Sequence, residues 1–276
     1  MRLTPRGHHA IVPGSMSLIT LITDFGLKDG NVGVMKGVIL GIAPQAQIVD
    51  LSHLIPPQNI REAALVLARS APYFPPETIH VVVVDPGVGT ERRALALEKE
   101  GHFFVGPDNG VFSGLLSGKG QAKAWEIANR KYSRWPISPT FHGRDIFAPA
   151  AGHLSLGLPP GKLGPRVKAL VRREFPRPQA TKKKLGARIL WADSFGNLMT
   201  NVNQKDFGRA WAARPFQIKG KGWKIDRLSR TYGEGKAGQP MALFGSGGWL
   251  EISVNQGNAL EALGLKAGEP ISILWG

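Results

Sequence analysis

Residues 79–84 (IHVVVV) are an almost wholly apolar run of strand length that stops at Asp85. A strand with apolar residues on both faces must be covered on both, which points to a parallel sheet lying between helices. The surrounding sequence supplies the other parts. Leu18–Thr23, Ile48–Leu51 and Phe103–Val105 are further strand-like runs, and Val32–Ile42 has helical length. Asn59 with Glu62 three residues on reads as a capping-box start, after which Ile60, Ala63, Ala64 and Leu67 share one helical face. Residues 17–165 are therefore expected to fold as an α/β domain with a largely parallel sheet.

Further along, the texture changes. Ala187–Ala192, Met241–Phe244, Leu250–Val254 and Ile271–Trp275 read as strands between Gly-rich turns such as Gly245–Gly248, with one short helix near Asn258–Leu263. Residues 187–276 are expected to form a smaller, mainly-β domain. Residues 166–186 between the two read as a basic, Pro-containing linker. Of the 35 basic and 20 acidic side chains, 19 and 8 lie beyond residue 165, so most of the net charge of +15 sits there. Arg172, Arg173, Arg177 and Lys182–Lys184 make that stretch either a footprint for a polyanion or an ordinary solvated linker. Aromatic residues are sparse in it, which argues against a base-stacking platform and against nucleic acid as the partner.

The chain has no Cys, which excludes disulfides, thiolate catalysis and Cys-based metal sites, and fits a cytoplasmic setting. No apolar run approaches the ~18 residues that span a bilayer, so no membrane association is expected. Residues 1–16 hold two Arg, a His pair and no sustained apolar stretch; they are expected to be a disordered extension. The His residues show no metal-binding spacing, and neither a phosphate loop nor a nucleophile elbow is present. No metal and no cofactor are expected.

Two strand-like runs end in an acid: LITLIT at Asp24 and VVVV at Asp85. In an open α/β sheet, ligands sit beyond the carboxyl ends of the strands. Each Asp is either a turn cap or a functional group, and two at comparable strand ends favour a shared site. Arg92 and Arg93 follow the Gly87–Gly89 loop and either return a cation to Asp85 or form an exposed pair. His142, in TFHGRDIFAP, is a structural or a catalytic histidine. Asp145 reads as the N-cap of a helix over Ile146–Leu156.

Taken in order, TDFG (23–26), DPGVGTERR (85–93), PDNG (107–110), FHGRDIFAP (141–149), DSFGNLMTN (193–201) and EISVNQGNA (251–259) resemble the S-adenosyl-L-methionine (SAM) hydroxide adenosyltransferases. These are the hydrolase branch of a group that also holds fluorinating and chlorinating enzymes. The resemblance implies an α/β domain joined to a β-barrel-like domain and assembly as a homotrimer with active sites at subunit interfaces. The implied reaction is hydrolysis of SAM to adenosine and L-methionine by attack of hydroxide on ribose C5′. It assigns Asp85, Arg92 and His142 to catalysis and Asp24 to the ribose diol. Asp193 and Ser246 match groups around the methionine amine and carboxylate; Phe195 and Asn197 match adenine contacts. Asn255 and Gln256 lie in the same region, and Phe141 packs on the nucleoside or belongs to the core. Halogenating relatives carry Tyr at the place of Asp85 and Thr at that of Val88, with Ser at that of Gly143 in the fluorinating type. A carboxylate repels halide and orients water, so hydrolysis is expected over halogenation. A halide-dependent synthase and non-enzymatic polyanion binding through 166–186 are the alternatives.

Overall fold

The structure, a computed structural model, describes residues 17–116, 120–205 and 215–275. The predicted extension 1–16 lies outside the described residues. The chain divides into two compact units, the first running through Glu174 and the second from Phe175.

In the first unit, seven strands among the described residues form one sheet: β1 (Leu18–Thr23), β2 (Gln47–Ser52), β3 (Ile79–Val83), β4 (Ala94–Lys99), β5 (His102–Pro107), β6 (Lys123–Glu126) and β7 (Arg166–Val167). Their order is β2-β1-β3-β5-β4-β6-β7. The pairings among β2, β1, β3 and β5 are parallel, and β4, β6 and β7 extend the sheet antiparallel. Every residue of β3 is buried. Val81 and Val83 pack in one core with Met35, Ile39 and Phe147; Val82 and Val84 pack in the opposite one with Ile60, Ala63 and Leu67. That division is why the run is apolar throughout: each Val is worth roughly 2 kcal/mol in one of two layers.

Helix α1 (Asn31–Ile42) follows β1 and leads to β2 on one side of it, while α2 (Ile60–Ser70) leads from β2 across to β3 on the other. The connection reverses direction at the β1/β3 boundary, which opens a crevice at the carboxyl ends of those two strands. α2 starts as expected. Asn59 Oδ1 accepts the Glu62 N–H at 3.1 Å, and its Nδ2 donates to Glu62 Oε2 at 2.9 Å.

The segment after Phe141 differs from expectation. After the short α3 (Ser113–Leu116), Gly143–Phe147 is a π-helical turn that runs into α4 (Ala148–Ser155), whose N-cap is Phe147. Asp145 is therefore no cap. Wholly buried, it accepts Arg144 Nε at 2.7 Å, Arg144 Nη2 at 2.8 Å and the Ser138 N–H at 2.9 Å. Burial pushes its pKa up, but the Arg144 and Ser138 bonds outweigh that and hold the carboxyl below its usual range.

The second unit is antiparallel: β8 (Gln179–Ala180), β9 (Lys184–Ala192), β10 (Leu198–Asn203), β11 (Phe216–Gly220), β12 (Trp223–Ile225), β13 (Pro240–Phe244), β14 (Trp249–Val254) and β15 (Pro270–Trp275). The order is β12-β11-β15-β9-β10-β14-β13, with β8 beside β9. A bridge between Leu228 and Ala242 brings the two ends of the sheet together, so it is a nearly closed barrel around Leu185, Ile189, Leu198, Ile252 and Ile273. Within 166–186, Arg166–Val167 pair with β6 of the first unit and Gln179–Ala180 with β9 of the second. Among the described residues no helix is long and apolar enough to cross a membrane.

Candidate active site

Asp24 follows directly on the carboxyl end of β1 and Asp85 lies one residue past that of β3, and the two strands are neighbours in register from Ile19↔Ile79 to Thr23↔Val83. Together with Phe25, Val88, Phe141 and His142 the two Asp residues line a cavity of about 340 Å³, and Pro57 and Gln58 belong to the same lining. That size suits a small polar ligand.

The Asp85 carboxylate is almost wholly buried and is tied to Arg92, seven residues on. Arg92 Nε donates to both carboxylate oxygens at 3.0 Å and Nη2 donates to Oδ2 at 2.5 Å. The side chains are only 4% and 10% exposed, so each charge depends on the other for its place in the interior. Arg93 goes elsewhere: its guanidinium bonds Asp108 and the Ala169 carbonyl. Of the Arg pair, only Arg92 serves the cavity. The PDNG motif anchors the same loop. Asn109 Nδ2 donates to the Val84 carbonyl at 2.9 Å, and the Asp108 N–H donates to the Arg93 carbonyl at 2.9 Å.

Arg92 Nη2 also lies 2.6 Å from His142 Nδ1. A guanidinium can only donate, so Nδ1 must accept and the imidazole hydrogen sits on Nε2. Burial, and then the Arg92 charge, hold the His142 pKa below its ordinary 6.5, with Asp85 and Asp145 pulling the other way. His142 opens the π-helical turn, a form that collects at functional sites. Gly89 lets the Asp85 loop meet this segment: a Cβ there would fall 2.3 Å from the Pro139 carbonyl oxygen, and its φ of +78° suits glycine.

Asp24 is only partly buried. Its Oδ2 accepts the backbone N–H of Gln58 at 2.8 Å, and the residue lines the cavity with Oδ1 outside any hydrogen bond to the described residues. Gln58 and Pro57 did not emerge from the sequence; the Asn59 cap shows where α2 begins but not that the preceding loop folds over Asp24. Phe141 meets Phe25 edge to face at 5.9 Å, and both line the cavity.

In the second unit, Asp193, Phe195 and Asn197 share the β9–β10 turn. Asp193 builds it: Oδ1 accepts the Phe195 and Asn197 N–H groups at 2.9 Å, and Oδ2 accepts Asn197 Nδ2 at 3.0 Å. The turn holds Phe195 out, 78% exposed, while Asn197 is buried. Asn255 and Gln256 follow the end of β14, and Ser246 precedes its start, so about 20 Å of strand separates them. A ligand touching both sets must lie along β14. Asn255 Nδ2 is already spent on the Gly235 carbonyl at 2.7 Å. The sequence reading missed a buried acid here. Glu251, 4% exposed, accepts the Tyr232 hydroxyl at 2.7 Å, and it lies so close under Gly245 that a Cβ at 245 would collide with it. Burial, and then Glu251, raise the Tyr232 pKa. The alternation around LEIS marks Glu251 as a strand position but does not show that it points into a covered face.

The α/β unit, with a carboxylate–guanidinium–imidazole chain at a reversal of strand order, defines a small-ligand site able to hold and polarise water. Two family models match the chain: the SAM hydroxide adenosyltransferase N-terminal domain over residues 19–164 and its C-terminal domain over residues 187–272. The chain belongs to the SAM hydroxide adenosyltransferase family. It is 41% identical to the (R)-S-adenosyl-L-methionine hydrolase of Thermus thermophilus, over 94% of this chain and 100% of that protein. A fluorinase of Actinoplanes is more distant, 25% identical over 93% of this chain and 97% of that one. Among solved structures, an uncharacterized conserved protein of Thermotoga maritima superposes with a TM-score of 0.88 at 37% identity, covering 93% and 99% of the two chains.

Proposed function

We propose that this chain hydrolyses SAM to adenosine and L-methionine. The observation that carries the reading is the buried Asp85 carboxylate, held by Arg92 at the mouth of β3 where halogenating relatives are expected to have Tyr. In the proposed step an O–C5′ bond forms as the C5′–S bond breaks in line, and the bonding pair goes to sulfur. The sulfonium leaves as a neutral thioether, so neither a general acid nor a cofactor is required. Holding the two reactants in line is worth roughly 7–11 kcal/mol in favourable systems.

The water must also lose a proton. Both His142 nitrogens are committed, Nδ1 as acceptor from Arg92 and Nε2 as donor, so His142 orients the nucleophile by donating to it. The Asp85 carboxylate keeps acceptor capacity beyond its Arg92 bonds and takes the proton. A carboxylate is a far weaker base than hydroxide, so the proton leaves as the C–O bond forms rather than before it. Asp24, with Oδ1 free, takes the ribose diol between the Phe25 and Phe141 rings. In the second unit, Asp193, Asn197, Phe195, Ser246, Asn255 and Gln256 take the methionine and adenine ends. We extend the reading to a cytoplasmic homotrimer in which a neighbouring subunit supplies those groups; sedimentation of the purified protein tests the assembly.

The chemical test is product analysis by mass spectrometry in ¹⁸O-water, with both sulfonium epimers of SAM, with and without chloride. The epimers are included because the relatives' name specifies (R). Labelled adenosine with methionine is the expected outcome. Intact SAM, or a chloride-dependent 5′-chloro nucleoside, overturns the reading.

A further inference from the structure

The turn that carries Asp24 and Phe25 is held from behind by a residue outside the cavity. His53, 4% exposed, lies just past β2 and grips the turn at two points. Its backbone carbonyl accepts the Gly26 N–H at 2.8 Å, and its ring Nδ1 lies 2.9 Å from the hydroxyl of Thr23. That hydroxyl, wholly buried, in turn accepts the Phe25 N–H at 3.2 Å. The Thr23 hydroxyl thus joins the residues on both sides of Asp24, and the His53 ring holds that hydroxyl. The far edge of the ring is steadied as well. Nε2 sits 3.0 Å from Asp50 Oδ1, an ion-pair distance without hydrogen-bond alignment, and Asp50 Oδ2 accepts Lys36 Nζ at 2.6 Å.

This chain Lys36–Asp50–His53–Thr23 ties α1 and β2 to the end of β1. None of its hydrogen bonds or ion pairs among the described residues reaches Asp85, Arg92 or His142. We propose that His53, acting through the Thr23 hydroxyl, is a positioning residue for the nucleoside end of the site: it sets the turn that aims Asp24 Oδ1 and the Phe25 ring into the cavity. The inference rests on the functional reading above for the identity of the ligand. Binding of the nucleoside should depend on the network, and the chemical step should not.

Thr23→Val keeps the shape of the side chain and removes the hydroxyl; Thr23→Ser keeps the hydroxyl. His53→Gln removes the ring. Calorimetric Kd for adenosine, KM and kcat for SAM, and melting temperature are measured for the three variants and the parent. Loss of one well-placed buried hydrogen bond is worth about a factor of ten in affinity. Thr23→Val and His53→Gln are expected to raise both Kd and KM about tenfold with kcat within about threefold, and Thr23→Ser to stay within about twofold of the parent. A residue that only supports the fold would lower the melting temperature and leave Kd unchanged. Parental Kd and KM in Thr23→Val overturns the inference, as does a Thr23→Ser variant as weak as Thr23→Val. If the parent binds adenosine but leaves SAM intact, the hydrolase reading fails while the Kd comparison still decides this one. A parent that binds no adenosine overturns both.

Discussion

Asp85→Asn exchanges one oxygen for an NH2 group and leaves the volume of the side chain nearly unchanged. The consequence follows from how Arg92 holds it. Arg92 Nε bonds both carboxylate oxygens and Nη2 bonds Oδ2, so either orientation of the new amide turns an N–H toward a guanidinium N–H. Arg92 is then a cation at 10% exposure without its counter-charge. Breaking a buried pair from one side costs about 3–5 kcal/mol. Under the proposed mechanism the variant also lacks the proton acceptor, a loss of about 10²–10⁴-fold in turnover. Replacing both partners, Asp85→Leu with Arg92→Met, should recover most of the stability, because two apolar groups need no counter-charge. It should recover no turnover. Urea denaturation and adenosine formation, followed on the parent, the single and the double variant, separate the two effects. An Asp85→Asn protein that makes adenosine at the parental rate, or unfolds at the parental urea midpoint, would show the argument to be wrong.

Three further outcomes follow from the geometry. In the proposed mechanism His142 is a neutral ring with Nδ1 accepting from Arg92, and its pKa is held below 6.5, so kcat/KM should be level above that pH and fall on the acid side. An acid limb centred above 6.5 that vanishes in His142→Gln contradicts this tautomer. Phe195→Ala should leave the urea midpoint almost unchanged, since the ring is 78% exposed, but should raise KM by the value of a base–aromatic stack, about 1–3 kcal/mol; an unchanged KM removes Phe195 from the adenine site. His80, buried against Phe104 with Nδ1 2.7 Å from the Thr20 hydroxyl, has its pKa lowered by burial, and then by His102, to about 3. Between pH 6.5 and 3 the unfolded chain takes up a proton that the folded one refuses, so this residue removes stability as pH falls, by about 1.4 kcal/mol per unit. Thr20→Val with His80→Leu should flatten that slope in urea melts at stepped pH.

What could be read from the residues alone divides by the range of the interaction. The Val81–Val84 run, the Asn59–Glu62 cap and the strand-terminal placing of Asp24 and Asp85 are local patterns, and each stands in the structure as the residues imply. The Asp85–Arg92 pair was open in the sequence because two adjacent arginines offered themselves; the choice fell to Asp108, which captures Arg93 from β5's far end. β4 and β6 escaped notice because they are antiparallel additions whose mixed sequences are stabilised by their neighbours. Asp145 misled for a related reason. Its position before an apolar run looked like a cap, but the adjacent Arg144 turns back onto it, and the preceding loop folds so that Arg134 and the Ser138 N–H reach it as well. His53 and Glu251 lay beyond sequence reasoning for the same cause, since their partners are 30 and 19 residues away.

The π-helical turn at Gly143–Phe147 bears on how this segment can change length. A π turn holds one more residue than the α-helical turn it replaces. Deleting a single residue between 143 and 147 would let α4 run on as regular helix, and each residue of an α-helix turns the chain by about 100°. His142, at the upstream end, would then swing off the axis on which Arg92 reaches Nδ1, while the apolar face of α4 kept its seat on the sheet. A one-residue gap here should therefore leave a folded, inactive protein. Insertions and deletions in this lineage are expected to gather in the exposed connections and to spare these five positions.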